Sequence, residues 1–235
     1  MHSTEGFVLI KENIEAVKKR MADAAARAGR TDEITLVAVT KNHPVEYMKE
    51  AAADGITDVG ENRIQEALQK REAFPDNQLK WHLIGHLQTN KAKHGVACFD
   101  LIHSIDSEHL LRAVDKEAAK LGKVQDILLQ VNVAREESKF GMDVEAFPAM
   151  CELAETLTHV RVQGLMCIAP NYEHIEDVRP VFRIAGALYE DMKSKFSDGQ
   201  VRYLSMGMTH DFEIAIEEGA NIVRVGTAIF GPRNY

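Results

Sequence analysis

The sequence contains few cysteines, and no two of them have the spacing of a metal-binding or redox motif. Cys98, Cys151 and Cys167 are the three cysteines among 235 residues. An odd number without a C-x-x-C motif predicts neither a disulfide framework nor a zinc site. Unpaired cysteines are typical of a reducing compartment, so we expect a cytoplasmic protein.

Long apolar runs and an excess of positive charge are also missing. No apolar stretch approaches the roughly 20 residues of a membrane-spanning helix, and the run at 7–10 is too short for a signal-peptide core. The formal net charge is −8, whereas binding to nucleic acid or to an anionic membrane requires a basic face. We therefore expect neither partner, although a nest of backbone amides can still bind a small anion.

Eight short apolar or β-branched segments alternate with segments of helical periodicity. The predicted strands are 36–41, 56–61, 80–85, 100–105, 126–133, 162–169, 203–207 and 222–229. A helical segment precedes the first strand and stops at Gly29. This alternation predicts an α/β protein, a single (β/α)8 barrel domain over residues 1–235 with an extra N-terminal helix. The alternative is an open doubly wound sheet, which is less favoured because no G-x-G-x-x-G motif follows the first strand.

Polar residues mark where several helices are predicted to begin. Asn62 with Gln65 fits a capping box. Ser107 precedes a helical segment that stops at Gly122. Thr209 precedes another helical segment, which stops at the glycine of the EEG triplet. We expect helices to begin directly after these three polar residues.

A lysine ends the first predicted strand, in the stretch LVAVTKNHP, where Pro44 prevents the strand from continuing. Lysine is rarely buried without a partner or a chemical role. Lys41 either extends its amine into solvent or holds it in a pocket for covalent chemistry. Functional residues of barrels gather at the C-terminal ends of the strands, so the choice depends on the residues at the other strand ends.

The ends of the last two predicted strands have the composition of a phosphate site. Ser205 and Thr227 offer hydroxyl donors, and Gly207 and Gly226 allow backbone amides to approach an anion. The helix expected after Thr209 would direct its positive end to the same place. Barrels often bind phosphate in the loops after strands seven and eight, so we expect a phosphate site there.

Arg224 completes a set of groups that suits pyridoxal 5'-phosphate (PLP). This cofactor needs an amine for a Schiff base, an anchor for its phosphate and a partner for its ring nitrogen. Arg224 lies two residues before Gly226, hence on the same face of its strand. A guanidinium donates hydrogen bonds and accepts none, so the ring nitrogen would stay unprotonated and the ring would be a weak electron sink.

Seven blocks, in order along the chain, resemble those of the pyridoxal phosphate homeostasis proteins (the YggS/PROSC family). They are AVTK, GENRIQE, WHLIGHLQTNK, KFG, GLMCIAP, LSMGMTHDFEIAI and VRVGTAIFG. The chain is also similar in fold to the barrel domain of alanine racemase. The resemblance implies a Schiff base on Lys41, Arg224 at the pyridine nitrogen, and phosphate bound by Ser205, Gly226 and Thr227.

The resemblance also implies that Asn62, His82 and Met206 lie around the cofactor ring. Two positions depart from the family pattern: His86 stands where proline is often expected, and Thr209 stands where serine is expected. Neither departure affects the lysine or the arginine. Histidines at 82, 86 and 94 lack a carboxylate or cysteine at ligand spacing, so we expect no metal site.

The function implied is PLP binding in intracellular PLP homeostasis or carriage, without substantial turnover. A racemase needs a base on each face of the ring, and its second base comes from a C-terminal β domain that this sequence is not expected to contain. Expected partners are PLP and, beyond it, free amino acids or PLP-accepting apo-enzymes, and we expect a monomer. The alternatives are a PLP-dependent amino-acid racemase and an aldolase-type lyase that uses the lysine on a phosphosugar without a cofactor.

Overall fold

The computed structural model describes residues 8–75 and 78–233, which form a closed barrel of parallel strands. The predicted limits of the domain, residues 1 and 235, lie outside the described residues. The strands are β1 Thr35–Val39, β2 Asp58–Glu61, β3 Lys80–Leu83, β4 Leu101–Ile105, β5 Gln125–Gln130, β6 Val160–Met166, β7 Tyr203–Ser205 and β8 Ile222–Val225. Each strand pairs with its neighbour in sequence, and β1 pairs with β8, which confirms the predicted (β/α)8 barrel.

Helices separate the strands and cover the outside of the barrel. They are α1 Ile10–Arg27, α2 Val45–Ala53, α3 Ile64–Ala73, α4 Ala92–Cys98, α5 Glu108–Lys120, α6 Phe147–Thr156, α7 Arg179–Lys193, α8 Phe212–Glu217 and α9 Thr227–Phe230. The extra helix α1 precedes β1 as predicted and buries an apolar stripe against α8 and α9. Among the described residues, no helix is both long and apolar enough to cross a membrane.

Two apolar clusters follow from the alternation of side chains along the strands. The larger cluster lies between the strands and the helices and includes Trp81 and Leu83. The smaller cluster fills the inside of the barrel and consists of Val37, Leu101, Leu128, Met166 and Ile222. Because both faces of a parallel strand are covered, a polar side chain on an inward position needs a specific partner inside the barrel.

The helix boundaries confirm some predicted caps and correct others. Ser107 caps α5, its Oγ accepting from the N–H of Leu110 at 3.1 Å. Gly122 follows that helix with φ +63°, the left-handed conformation that glycine adopts readily. The predicted capping box at Asn62 was wrong, because Arg63 occupies the N-cap position of α3 and no side chain caps it.

The strands adjoining the expected site end earlier than predicted. β1 ends at Val39 and β8 at Val225, so Lys41 lies in a turn and Thr227 begins the short helix α9. The helix predicted to follow Thr209 begins only at Phe212. These shifts place Lys41 in a turn, Thr209 in a loop and Thr227 at the start of α9, all at the C-terminal end of the barrel.

Candidate functional site

Lys41 lies in the turn between β1 and α2, with its side chain half-buried. The next residue, Asn42, has φ +61°, so the chain reverses sharply here. Burial, followed by the charges of Arg233 and Arg224, lowers the pKa of Lys41 from its usual 10.5, while Glu61 is among the groups that oppose the shift. More of this amine is therefore neutral near pH 7 than for an exposed lysine, and only the neutral amine is nucleophilic.

A buried ion cluster holds the turn that carries Lys41. The Lys70 ammonium donates to the backbone carbonyl of Thr40 at 2.6 Å, to Glu61 Oε1 at 2.7 Å and to Glu66 Oε1 at 2.8 Å. The N–H of Asn42 donates to the same Glu66 oxygen at 2.6 Å. The backbone on both sides of the lysine is thus tied to α3 and to the end of β2.

Replacing Arg233 by methionine is expected to raise the pKa of Lys41, because one of the cations that disfavour its protonation is removed. The rate at which Lys41 forms a borohydride-reducible adduct with pyridoxal should then reach its half-maximum at higher pH. Pyridoxal is chosen because it lacks the phosphate. The control is Arg183→Met, which removes an exposed arginine on α7. An unchanged pH profile in the Arg233 variant would contradict the assignment.

Arg224 projects into the barrel from β8 and is almost completely buried. Its Nη1 donates to Ser205 Oγ at 2.6 Å and its Nη2 to the carbonyl of Cys167 at 3.1 Å. Burial lowers the pKa of Arg224 to about 10, so it remains a cation at neutral pH. In the part of the chain described, no carboxylate forms an ion pair with it. A buried cation with spare N–H groups is suited to an acceptor such as a ring nitrogen.

Two predicted site residues, Ser205 and His82, lie inside the barrel and not at its C-terminal opening, where Lys41 lies. Ser205 Oγ contacts Arg224 and lies 3.0 Å from Nδ1 of His103. His82 is also buried, with Nδ1 at 2.8 Å from His103 Nε2 and Nε2 at 2.7 Å from Asp58 Oδ1. Protein groups engage the Ser205 hydroxyl and both nitrogens of His82. The contacts of Ser205 with the phosphate and of His82 with the ring stay predictions.

The two glycines of the predicted phosphate site lie in closely packed places. Gly207 has φ +100°, and a Cβ there would lie 2.7 Å from Cβ of Ala215 in α8. A Cβ on Gly226 would lie 3.2 Å from Cβ and from the carbonyl oxygen of Val39 in β1. Gly207 thus lets the loop after β7 approach α8, and Gly226 lets the loop after β8 approach the end of β1, next to the turn that carries Lys41.

The hydroxyl of Thr209, in the loop after β7, reaches the start of α9. Its Oγ1 accepts from the N–H of Ala228 at 3.3 Å, in the first turn of α9. The N–H of Thr227 has no acceptor within its own helix, because it belongs to the first turn. α8 has six residues and starts beyond Thr209, so an anion bound here would depend on backbone and hydroxyl donors and not on a long helix dipole.

Met206 and Asn62 are the other residues predicted beside the cofactor ring. Met206 is fully buried in the larger apolar cluster, and its place beside the ring stays a prediction. Asn62 directly follows β2, and Gly85 packs so closely on its backbone that a Cβ would lie 2.5 Å from the Asn62 carbonyl oxygen. Its contact with a ring stays a prediction. His86 stacks on Phe140 with ring centroids 4.0 Å apart, joining the loops after β3 and β5.

Sequence reasoning missed His103, Asp58, Glu61 and Lys70. His103 has a readable signal, since it lies two residues after Leu101 on β4 and therefore shares its inward face. Asp58 likewise occupies an inward position at the start of β2. Nothing local marks the pair of Glu61 and Lys70, because their contact depends on how α3 returns along β2. Among the described residues, no group of three metal-ligating side chains converges.

A half-buried lysine after β1, a buried arginine on β8 and donor-rich loops after β7 and β8 define a barrel of the alanine racemase type. Residues 10–234 match the family described as alanine racemase, N-terminal domain. The relatives include the pyridoxal phosphate homeostasis protein of Aquifex aeolicus, 44% identical over 95% of this chain and 98% of its own length. The Escherichia coli K12 protein of the same name is 35% identical over 96% of this chain and 97% of its own length. The chain belongs to the pyridoxal phosphate homeostasis proteins of this family.

Solved structures of related proteins have a similar fold. PipY of Synechococcus elongatus with PLP bound superposes with a TM-score of 0.84 at 34% identity, covering 94% of this chain and 100% of PipY. Alanine racemase of Streptomyces coelicolor superposes with a TM-score of 0.73 at 18% identity, covering 94% of this chain and 57% of the racemase. The racemase likeness shows a shared barrel fold.

Proposed function

We propose that the protein binds PLP through Lys41 and serves intracellular PLP homeostasis, holding and releasing the cofactor without substantial turnover. The observation that carries this proposal is the pairing of a reactive amine with a buried cation. Lys41 has a lowered pKa and is half-buried, and the guanidinium of Arg224 lies inside the barrel without a carboxylate partner among the described residues. A ligand that carries an aldehyde, an acceptor nitrogen and an anionic group suits this pair: the aldehyde can react with the amine, and the nitrogen can accept from the guanidinium.

The residues fit PLP when each is matched to one part of the cofactor. Bound PLP supplies an aldehyde that condenses with an amine, and Lys41 is the amine at the mouth. Arg224 has N–H groups beyond those given to Ser205 and Cys167, and these suit the ring nitrogen. We assign the phosphate to the backbone of Gly226 and Thr227 with the hydroxyl of Thr209, which already faces the first turn of α9.

The relatives support the same cofactor. The curated relatives from Aquifex aeolicus and Escherichia coli carry the name pyridoxal phosphate homeostasis protein, and the PipY structure was solved both with and without PLP. All are at least 34% identical and cover 94% or more of this chain. We extend PLP binding to this chain on that basis together with the geometry of Lys41 and Arg224.

The deciding experiment is a visible spectrum of the purified protein with added PLP, before and after borohydride, followed by peptide mapping. We expect a yellow protein whose visible band disappears on reduction, with the cofactor fixed on the peptide that contains Lys41. A colourless protein, or a reduced adduct on another lysine, would overturn the proposal. A colourless protein would favour the cofactor-free aldolase alternative.

The absence of substantial turnover is a separate part of the proposal. The racemase likeness is a matter of fold alone at 18% identity, whereas the relatives that match over nearly their whole length are named homeostasis proteins. The test is incubation of the PLP-loaded protein with each L-amino acid and chiral analysis of the products. Rapid formation of the D-form, lost when Lys41 is replaced, would make the protein a racemase.

We further propose a single-domain monomer in the cytoplasm that exchanges PLP with free amino acids or with apo-enzymes. The three cysteines are free and buried, as suits a reducing compartment. Light scattering with size-exclusion chromatography tests the monomer. Transfer of PLP from the loaded protein to an apo-enzyme, followed by recovery of that enzyme's activity, tests the exchange.

A further inference from the structure

A chain of polar side chains crosses the inside of the barrel from Arg224 to Asp58. The contacts run from Arg224 Nη1 to Ser205 Oγ at 2.6 Å, to His103 at 3.0 Å, to His82 at 2.8 Å and to Asp58 Oδ1 at 2.7 Å. The members come from β8, β7, β4, β3 and β2. Four of the five have at most 3% of their surface exposed, and Asp58 has 9%. Such a buried network is costly unless every member is satisfied.

The chemistry of Asp58 and Arg224, at the two ends of this hydrogen-bond chain, fixes which group donates at every step. Asp58 is an acceptor as a carboxylate, so His82 donates to it through Nε2–H. Burial lowers the pKa of both histidines, so each ring is neutral and carries one proton. His82 Nδ1 then accepts from His103 Nε2–H, and His103 Nδ1 accepts from the Ser205 hydroxyl. The Ser205 oxygen is thereby left to accept from Arg224, which can only donate.

The opposite direction leaves a group unsatisfied. If His103 carried its proton on Nδ1, it would donate to the Ser205 oxygen, which already accepts from Arg224. The Ser205 O–H would then point away from both partners, in a site where its oxygen is fully buried. A buried donor without an acceptor is costly, so the charge at Asp58 decides the position of each proton up to Arg224.

We propose that Asp58, His82 and His103 are positioning residues for Arg224. Through a one-directional hydrogen-bond chain, the carboxylate at the N-terminal end of the barrel orients Ser205 and fixes the guanidinium at the ring nitrogen of the cofactor. This inference rests on the proposed function, since Arg224 is assigned there to PLP. It adds three residues that do not touch the cofactor.

Asp58 is anchored on both oxygens and lies beside an opening to solvent. Its Oδ2 accepts from the Thr57 hydroxyl at 2.7 Å, while Oδ1 receives His82. It lines a cavity of about 360 Å³ on the face of the barrel remote from Lys41, together with Glu33 and residues of α1. The carboxylate therefore keeps some hydration, which lowers the cost of burying the charge that directs the chain.

The first test uses the protein without cofactor and reads the protons directly. Two-bond nitrogen–proton NMR spectra of uniformly ¹⁵N-labelled protein report the tautomer of each of the ten histidines, and His82→Gln and His103→Gln assign the two signals. We expect both rings to be neutral with the proton on Nε2 at neutral pH, and His103 to stay neutral through the range of about pH 5 to 8 in which an ordinary histidine titrates. A His103 that carries its proton on Nδ1, or that titrates in this range, overturns the proposal.

The second test compares Asp58→Asn with Glu33→Gln. The second variant removes the same charge from the same cavity, but Glu33 is not a member of the hydrogen-bond chain. An amide can offer either its oxygen or its NH₂ group to His82, so the direction is no longer imposed. We expect mixed tautomers at His103 and a PLP dissociation constant raised about tenfold, because a charge-assisted hydrogen bond is replaced by a neutral one. Glu33→Gln should change affinity less than about twofold. Equal effects of the two variants overturn the proposal.

A double-mutant cycle separates positioning from general damage to the barrel. In a His103→Gln background the chain is already interrupted, so Asp58→Asn should add less than about twofold to the loss of affinity. Independent losses, which multiply, would show that Asp58 acts by another route and would overturn the proposal. A wild-type protein that binds no PLP would instead overturn the proposed function. The NMR result on the cofactor-free protein would still test the hydrogen-bond chain.

Discussion

Replacing Lys70 by methionine is expected to lower the free energy of unfolding by about 3–5 kcal/mol, the usual cost of removing one partner of a buried ion pair. Lys70 is 6% exposed and is bonded to Glu61, which is fully buried. One oxygen of Glu61, Oε2, already has no hydrogen-bond partner among the described residues. Loss of the ammonium would leave this carboxylate with only the Thr40 hydroxyl. Urea denaturation measures the change.

The matched control is Lys19→Met, which breaks an exposed ion pair with Asp23 on α1. It should cost no more than about 0.5 kcal/mol. If both variants lose the same stability, the buried cluster does not contribute as the structure indicates. The comparison also requires that the slope of the unfolding transition stay constant, so that the midpoint shift reports stability.

The destabilisation by Lys70→Met should depend on pH with a defined sign. Burial already raises the pKa of Glu61 above 4.5 in the folded protein, and removing the ammonium raises it further. A carboxyl group with a raised folded pKa binds more protons when folded, so the stability of the variant falls as pH rises through the interval between the unfolded and folded pKa values. The penalty should therefore be smaller in mild acid than at pH 7.

Replacing Lys41 by alanine is expected to abolish covalent attachment of PLP completely. Lys41 is the amine that we propose for the Schiff base, and the turn that carries it is tied by Lys70 and Glu66 to α3. The visible band and the borohydride-fixed adduct should both vanish. Lys41→Arg should give the same loss, because it retains the charge but has no amine that condenses with an aldehyde at neutral pH.

Lys139→Ala serves as the control for these variants. Lys139 is an exposed lysine in the loop after β5, and its loss should leave the spectrum and the adduct unchanged. Persistence of a wild-type visible spectrum in Lys41→Ala would contradict the assignment of the covalent site. Weak, non-covalent retention of PLP by Lys41→Arg would fit the separate contributions assigned to Arg224 and to the loops after β7 and β8.

Much of this site could be predicted because its residues stand at the ends of predicted strands. Lys41, Gly226 and Thr227 were placed by counting strands and by the residue types at the end of each strand. Closure of the barrel brings strand ends together at one face, so order along the chain is enough to gather them. Arg224 was assigned to the inside of its strand by its spacing from Gly226, and its burial in the structure agrees.

The sequence is least informative where a side chain's direction or partner decides its role. Ser205 and Met206 are adjacent, and alternation sends the first inward and the second outward, yet both were predicted at the cofactor. Ser205 is held beneath Arg224 by His103, and Met206 packs among the helices. Thr209, whose hydroxyl reaches α9, was noted only as a helix start and a departure from serine.

The sequence by itself determined the barrel and the positions of Lys41 after the first strand and of Arg224 on the eighth strand, because periodicity and strand ends are local properties. Only the tertiary structure decided which polar groups meet inside. Asp58 and Arg224 are far apart along the chain and are joined through side chains from three other strands. No local pattern encodes that meeting; it exists because a closed barrel turns alternate residues of every strand toward one shared interior.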